Sequence, residues 1–147
     1  MTAQDLDEVV NLEMRAFADP WPEMAFRSDL EKPELAFLRV ARLEGRLAGY
    51  LVSWRVAGEI HLTNLAVEFD FRRRGVGQAL LDELFEDARR TRAHIITLEV
   101  RKSNESAIAL YLANGFRQVG LRRQYYTVGN EDALVLAFKM DSRGGVS

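Results

Sequence analysis

The stretch Leu62-Thr63-Asn64-Leu65-Ala66-Val67, followed after a short acidic and aromatic spacer by Arg72-Arg73-Arg74-Gly75-Val76-Gly77-Gln78-Ala79-Leu80-Leu81, decides the fold. Its first six residues are β-favouring and apolar. Beyond Gly77 the pattern changes to helical period, with Val76, Leu80, Leu84 and Ala88 on one stripe. The two glycines therefore fall where a strand feeds the start of a helix. Glycine turns tightly and lets bare N–H groups approach a ligand, and the first helical turn adds unpaired donors and the positive end of the dipole. Such a turn suits an anion. A P-loop would have Lys and Ser or Thr after its second glycine, but this chain has Gln78 and Ala79. A dinucleotide fingerprint would need Gly or Ala at position 80, and the residue is Leu80.

Outward from this stretch, strand-like runs at 36–43, 47–56 and 59–67 are separated by Glu44-Gly45 and Ala57-Gly58, which predicts an antiparallel meander. Upstream, Leu6, Val9, Val10, Met14 and Phe17 share one helical face, so a helix is expected from about Gln4 to Ala18, capped by Thr2 or Asp5. Asp19-Pro20-Trp21-Pro22 stops it, and Pro22 suits the first turn of a second helix carrying Met24, Phe26 and Leu30, which Lys32-Pro33 ends. Downstream, the glycine-loop helix runs to about Arg90. Its outer face of Asp82, Glu83, Glu86, Asp87, Arg89 and Arg90 is expected to be solvated. A strand at 94–100 follows and, across a helical crossover, should lie parallel to the strand before the loop. A short helix at 106–114 closed by Gly115 comes next, then strands at 116–128 and 133–140 joined as a hairpin. The expectation is an α+β fold: a mixed, mostly antiparallel sheet flanked by helices. It forms one domain over residues 1–140, with a polar tail, 141–147, expected to be disordered.

At 147 residues the chain can bury a core without staples, and 48% hydrophobic with 29% charged residues is the balance of a globular protein. A net charge of -2 argues against a general nucleic-acid binder. The local clusters Arg72 to Arg74 and Arg122-Arg123 suit instead a polyanionic small molecule or an acidic ribonucleoprotein surface. With no cysteine, disulfides, thiolate metal sites and a thiol nucleophile are excluded, and two histidines without ligand spacing predict no metal. No apolar run reaches membrane-spanning length and no signal pattern opens the chain, so a cytoplasmic protein without membrane contact is expected.

Further segments carry a resemblance: Asp19-Pro20-Trp21-Pro22, Leu98-Glu99-Val100-Arg101-Lys102-Ser103-Asn104, Ile108-Ala109-Leu110-Tyr111-Leu112-Ala113-Asn114-Gly115-Phe116 and Arg122-Arg123-Gln124-Tyr125-Tyr126. With the Arg-x-x-Gly-x-Gly-x-Ala loop, they make the chain similar over nearly its whole length to the GNAT N-acetyltransferases. Within that family it resembles the members that acetylate the N-terminal alanine of a ribosomal protein. The resemblance implies acetyl-CoA as cosubstrate and the N-terminal amine of a protein as acceptor. It implies that Arg73, Arg74, Gly75, Val76, Gly77 and Gln78 take the CoA phosphates. Leu65, Ala66 and Val67 offer backbone groups to the acetyl and pantetheine portion, and Asn104 assists by hydrogen bonding. It further makes Glu99 the general base, through a water or directly, and Tyr111 the proton donor to the departing thiolate. Trp21, Glu59, His61, Tyr125 and Tyr126 are candidates for the substrate groove. Glu59, His61 and Thr63 alternate onto one strand face unless a bulge intervenes.

One departure stands out. Family members usually begin with a strand, and Met1 to Gln4 leaves almost no room for it. Either the start codon is misplaced, or the sheet lacks that edge strand and its neighbour is exposed or covered by another subunit. Rival readings are a GNAT enzyme acting on a small amine or a lysine, and a non-catalytic acyl-CoA-binding module. Binding alone would need neither Glu99 nor Tyr111.

Overall fold

The computed structural model describes residues 1–140, so the tail expected to be disordered lies outside the described residues. The elements run α1 (Leu6–Ala16), α2 (Glu23–Leu30), β1 (Ala36–Leu43), β2 (Arg46–Val56), β3 (Glu59–Val67), α3 (Val76–Arg90), β4 (Ile95–Arg101), α4 (Glu105–Ala113), β5 (Arg117–Tyr126) and β6 (Glu131–Lys139). Both turns of the meander hold two successive residues at positive φ, Glu44 and Gly45 and then Ala57 and Gly58. Tight hairpins favour that geometry because it matches the twist of the strands they join. Six strands form one sheet in the order β1-β2-β3-β4-β6-β5. All neighbours are antiparallel except β3 and β4, which are parallel and joined through α3.

Helices cover both faces. Leu6, Val9 and Leu12 of α1 and Phe26 of α2 pack on Leu38, Tyr50, Val52 and Ala66. On the other face Val76, Leu80, Leu81, Leu84 and Ala88 of α3, with Tyr111 of α4, pack on Leu51, Ile60, Leu62, Ile96, Leu98 and Phe138. β2 is buried on both sides, which is why its sequence is a continuous apolar run rather than an alternation. β3 changes sides in mid-strand. Ile60 and Leu62 belong to the α3 layer, whereas Ala66 belongs to the α1 layer and Leu65 and Val67 now pack toward α3. The slip is a bulge at Thr63, where the pairing jumps from Asn64↔Val52 to Leu62↔Ser53.

Several expectations need correction. The first helix is shorter than Gln4 to Ala18: a 3-10 turn over Ala3–Asp5 precedes α1, and Phe17 is already extended. Its buried stripe is Leu6, Val9, Leu12 and Glu13, while Met14 is 63% exposed. The spacing of Leu6, Val10, Met14 and Phe17 predicts a stripe with Met14 inside it, whereas the observed stripe turns through Leu12 and the buried carboxylate of Glu13. Pro22 is the N-cap of α2 rather than a first-turn residue, and Met24 is exposed. Asp87 is not on a solvated face. It is buried against Arg55 of β2 at 3.0 Å and bonded by Arg90, and burial raises its pKa against the pull of those two cations. No strand precedes α1 among the described residues. β1 is an edge strand, and the Met1 ammonium group donates to Leu38 O at 3.2 Å.

Candidate active site

The parallel ladder between β3 and β4 runs only from Glu59↔Ile95 to Leu62↔Leu98. Beyond it the strands part, because the Thr63 bulge keeps β3 on β2 while β4 stays paired with β6 as far as Arg101↔Ala133. A cleft of about 610 Å³ opens in the gap. Leu62 to Leu65 and Leu98 to Arg101 form its strand walls. Asn104, Ala107 and Tyr111 line it from α4, Phe17, Ala18, Asp19 and Trp21 from the α1–α2 loop, and Tyr126, Val128 and Glu131 from the β5–β6 hairpin.

Glu99 and Tyr111 both line this cleft. In β4 the even residues Ile96, Leu98 and Val100 face the α3 core, so strand alternation turns Thr97, Glu99 and Arg101 to the other side. Glu99 is consequently reachable from the α1–α2 side. Its Oε2 lies 2.8 Å from His61 Nε2, and its Oε1 lies 3.5 Å from Arg122 Nε. Tyr111 sits in the opposite layer, packed on Phe116 with ring centroids 5.6 Å apart. Burial raises its phenol pKa, so the hydroxyl keeps its proton, and no described residue accepts that proton.

Of the segment that leads into α3, Arg72 lines the cleft, whereas Arg73, Arg74, Gly75, Val76, Gly77 and Gln78 lie outside its lining, as do Ala66 and Val67 of β3. Gly75 caps α3 with φ 79, the left-handed region open to glycine, and supplies no side-chain hydrogen bond to the first turn. Gly77 has a different role from Gly75. A Cβ there would stand 3.0 Å from Leu110 of α4 and 3.7 Å from Val67 of β3, whereas one at Gly75 would meet nothing within 4 Å. Gly77 therefore brings the helix start close to α4 and β3, while Gly75 stands exposed. Arg73 and Arg74 are exposed beside it. Arg74 reaches Glu44 at 3.5 Å, and Arg73 has no ion-pair partner among the described residues.

Other expected residues have structural duties. Gln78 and Asn114 exchange hydrogen bonds at 2.8 and 2.9 Å, tying α3 to α4. Asn104 is the N-cap of α4, its side chain accepting from Ala107 N at 3.3 Å, which leaves its NH₂ group for other partners. Trp21 lines the cleft and an adjoining recess that also holds Trp54, Asp29, His61 and Thr63. Tyr126 lines the cleft, its phenol pushed up to about 12 mainly by burial, but Tyr125 is exposed at its edge. Glu59 is not brought to the cleft. It lies at the start of β3 beside His94, 3.8 Å away.

Two residues that matter here were missed from the sequence. Glu13 is only 1% exposed and accepts from Tyr50 OH, from Asn64 Nδ2 at 3.1 Å and from Trp21 N at 2.9 Å. Its spacing from Leu6 and Val9 would have placed it on the buried stripe had polarity not argued otherwise. Arg101 spans the mouth of the cleft. It reaches Asp19 at 3.2 Å, Glu131 at 3.2 Å and Val128 O at 3.0 Å, with its guanidinium 4.1 Å from the Tyr126 ring centre. No spacing rule could have joined residues so far apart in the chain. Among the described residues no group of three or more acidic, His or Cys side chains is placed to hold a metal, and no helix is long and apolar enough to cross a membrane.

Comparison with known proteins gives a consistent answer. The sequence model of the acetyltransferase (GNAT) family matches residues 6–116. The chain is 38% identical over 135 residues to the [ribosomal protein bS18]-alanine N-acetyltransferase of Escherichia coli, covering 90% of each. It is 37% identical over 142 residues to the N-alpha-acetyltransferase RimI of Mycobacterium tuberculosis, covering 92% of this chain and 87% of that one. The crystal structure of the Escherichia coli ribosomal-protein-S18-alanine N-acetyltransferase superposes with a TM-score of 0.83 at 37% identity, covering 93% of this chain and 88% of that chain.

Proposed function

The chain belongs to the acetyltransferase (GNAT) family, and from that premise we propose that it transfers acetyl from acetyl-CoA to the α-amine of a protein N-terminus, an alanine of a ribosomal protein. The observation that carries the reading is that Glu99 of β4 and Tyr111 of α4 both line the cleft that opens where β3 and β4 part. The relatives named for ribosomal protein bS18 align over nine-tenths of the chain and support the acceptor.

The chemistry follows from the walls. Glu99 takes the proton of the α-ammonium group, directly or through a water, so that the nitrogen lone pair can attack the thioester carbonyl. Main-chain N–H groups of Leu65 to Val67 on the unpaired side of β3 are assigned to the carbonyl oxygen and the pantetheine amides. As the C–S bond breaks, Tyr111 lends its O–H to the sulfur. Because burial disfavours the phenolate, the donor enters every turnover protonated. Exposed arginines and the positive end of α3 at its exposed N-cap Gly75 are assigned to the CoA phosphates.

The acceptor can be argued from acidity. Neutralising a lysine at pH 7 costs roughly 3 kcal/mol more than neutralising a peptide α-amine, since their reference pKa values are about 10.4 and about 8. A single carboxylate base therefore selects N-termini. Peptides beginning with alanine should outcompete internal lysines when the products are mapped by mass spectrometry, and acetylation found mainly on lysine side chains would reverse the assignment.

A second expectation concerns the loop. Gly77 is packed against α4, so enlarging it would disturb the fold, and Arg73 is the cleaner probe. Arg73→Ala should weaken acetyl-CoA binding by about fivefold, as expected for one charge-assisted phosphate contact, with an unchanged melting temperature. Titration calorimetry giving wild-type affinity in low salt would take Arg73 out of the phosphate site.

A further inference from the structure

We propose that His61 is a positioning residue for Glu99, and that Thr97 acts through it. The proposal rests on Glu99 being the base. His61 and Thr97 face each other in the β3–β4 register, and the Thr97 hydroxyl lies 3.0 Å from His61 Nδ1. On the other side of the ring, Nε2 lies 2.8 Å from Glu99 Oε2. An ionised carboxylate and a bare ring nitrogen are both acceptors, so at this distance one proton lies between them. Thr97 makes the arrangement tolerant. Its hydroxyl donates to Nδ1 of the neutral ring and accepts from Nδ1–H of the charged one, and in both cases Nε2 keeps its hydrogen toward Glu99.

The consequence is a carboxylate with two different oxygens. Oε2 is held by the imidazole, while Oε1 has only the longer contact to Arg122 at 3.5 Å and is left to meet the amine. Side-chain exposure is 12% at Glu99 and 40% at His61, so the ring shields the base on its α2 side without being part of the core. A carboxylate free to rotate would spend much of its time with neither oxygen aimed into the cleft. Fixing it is therefore a contribution to turnover rather than to binding.

Steady-state kinetics on the full chain with acetyl-CoA and an alanine-first peptide test this. His61→Ala should lower kcat by about tenfold with both KM values within about twofold, the pattern for a misoriented catalytic group. His61→Gln, which can still offer an N–H to Glu99, should recover most of that loss. Thr97→Val should cost about threefold in the wild-type background and nothing in the His61→Ala background, because coupling through one partner is not additive. Four results would overturn the proposal: wild-type kcat in His61→Ala, a rise in peptide KM alone, no recovery in His61→Gln, or an equal Thr97→Val effect in both backgrounds. Glu99→Gln separates the levels. If that variant is inactive while His61→Ala is unaffected, only the positioning role fails; if it is fully active, the assignment of the base fails first.

Discussion

Glu99→Gln should lower kcat at pH 7 by about 10²–10³-fold, with acetyl-CoA affinity unchanged. The substitution keeps the shape of the side chain and its reach to His61, but it removes the group that accepts the amine proton. The residual rate should climb about tenfold between pH 7 and pH 9, because an α-amine of pKa about 8 passes from roughly one-tenth to nine-tenths neutral over that range. Tyr111→Phe should behave differently. It leaves the packing on Phe116 in place, removes only the donor to sulfur, and gains nothing from a rise in pH. Full turnover of Glu99→Gln from pH 6 to 9 with saturating peptide would move the base elsewhere. His61, which touches Glu99 from the adjoining recess, would then be the group to test, since Glu59 lies beside His94 and lines neither space.

Glu13→Ala should destabilise the fold by about 2–4 kcal/mol, since each buried neutral donor left without an acceptor costs about 1–3 kcal/mol and rearrangement recovers part of it. Three donors would lose their acceptor at once: the Tyr50 hydroxyl, the Asn64 amide and the Trp21 backbone N–H. Burial, the largest cause holding the Tyr50 phenol in its protonated form, remains when the carboxylate is gone, so the hydroxyl cannot relieve the loss by ionising. Glu13→Gln should cost less, because its carbonyl still serves part of the network while its NH₂ group meets a donor. Urea denaturation reads the difference directly. A loss below about 1 kcal/mol for the alanine variant would mean that water replaces the carboxylate and that the site is not sealed. Surviving enzyme should also show a raised peptide KM, since Glu13 fixes the loop that carries Trp21 into the cleft.

What could be read in advance divides along physical lines. α3, the meander and the parallel crossover depend on local periodicity and turn chemistry, and their residues announced them. The α1 stripe misled because Met14 is apolar and Glu13 charged, while the burial runs the other way. Asp87 misled similarly: a run of charges reads as solvated until a distant arginine, Arg55, is seen to meet one of them. At the site, Glu99 and Tyr111 were named through family resemblance, but their surroundings were not. The contacts of His61, Arg122 and Thr97 depend on strand register and on the side-chain reach it permits, which no local pattern encodes.

The interrupted ladder between β3 and β4 has a consequence for how this site tolerates change. Hydrogen-bonding groups assigned to acetyl-CoA along Leu65 to Val67 belong to the peptide backbone, which every residue except proline supplies in the same form. Drift in those side chains is restrained by packing alone, and the recognition surface survives it. The groups assigned to the acceptor have no such insurance, since Trp21, Glu99 and Tyr126 in the cleft and His61 in the adjoining recess would contribute through their own atoms. A few substitutions around the mouth should therefore change acceptor preference while leaving the backbone groups assigned to the cosubstrate in place. Proline at 65–67 is the single replacement that would erase a rung.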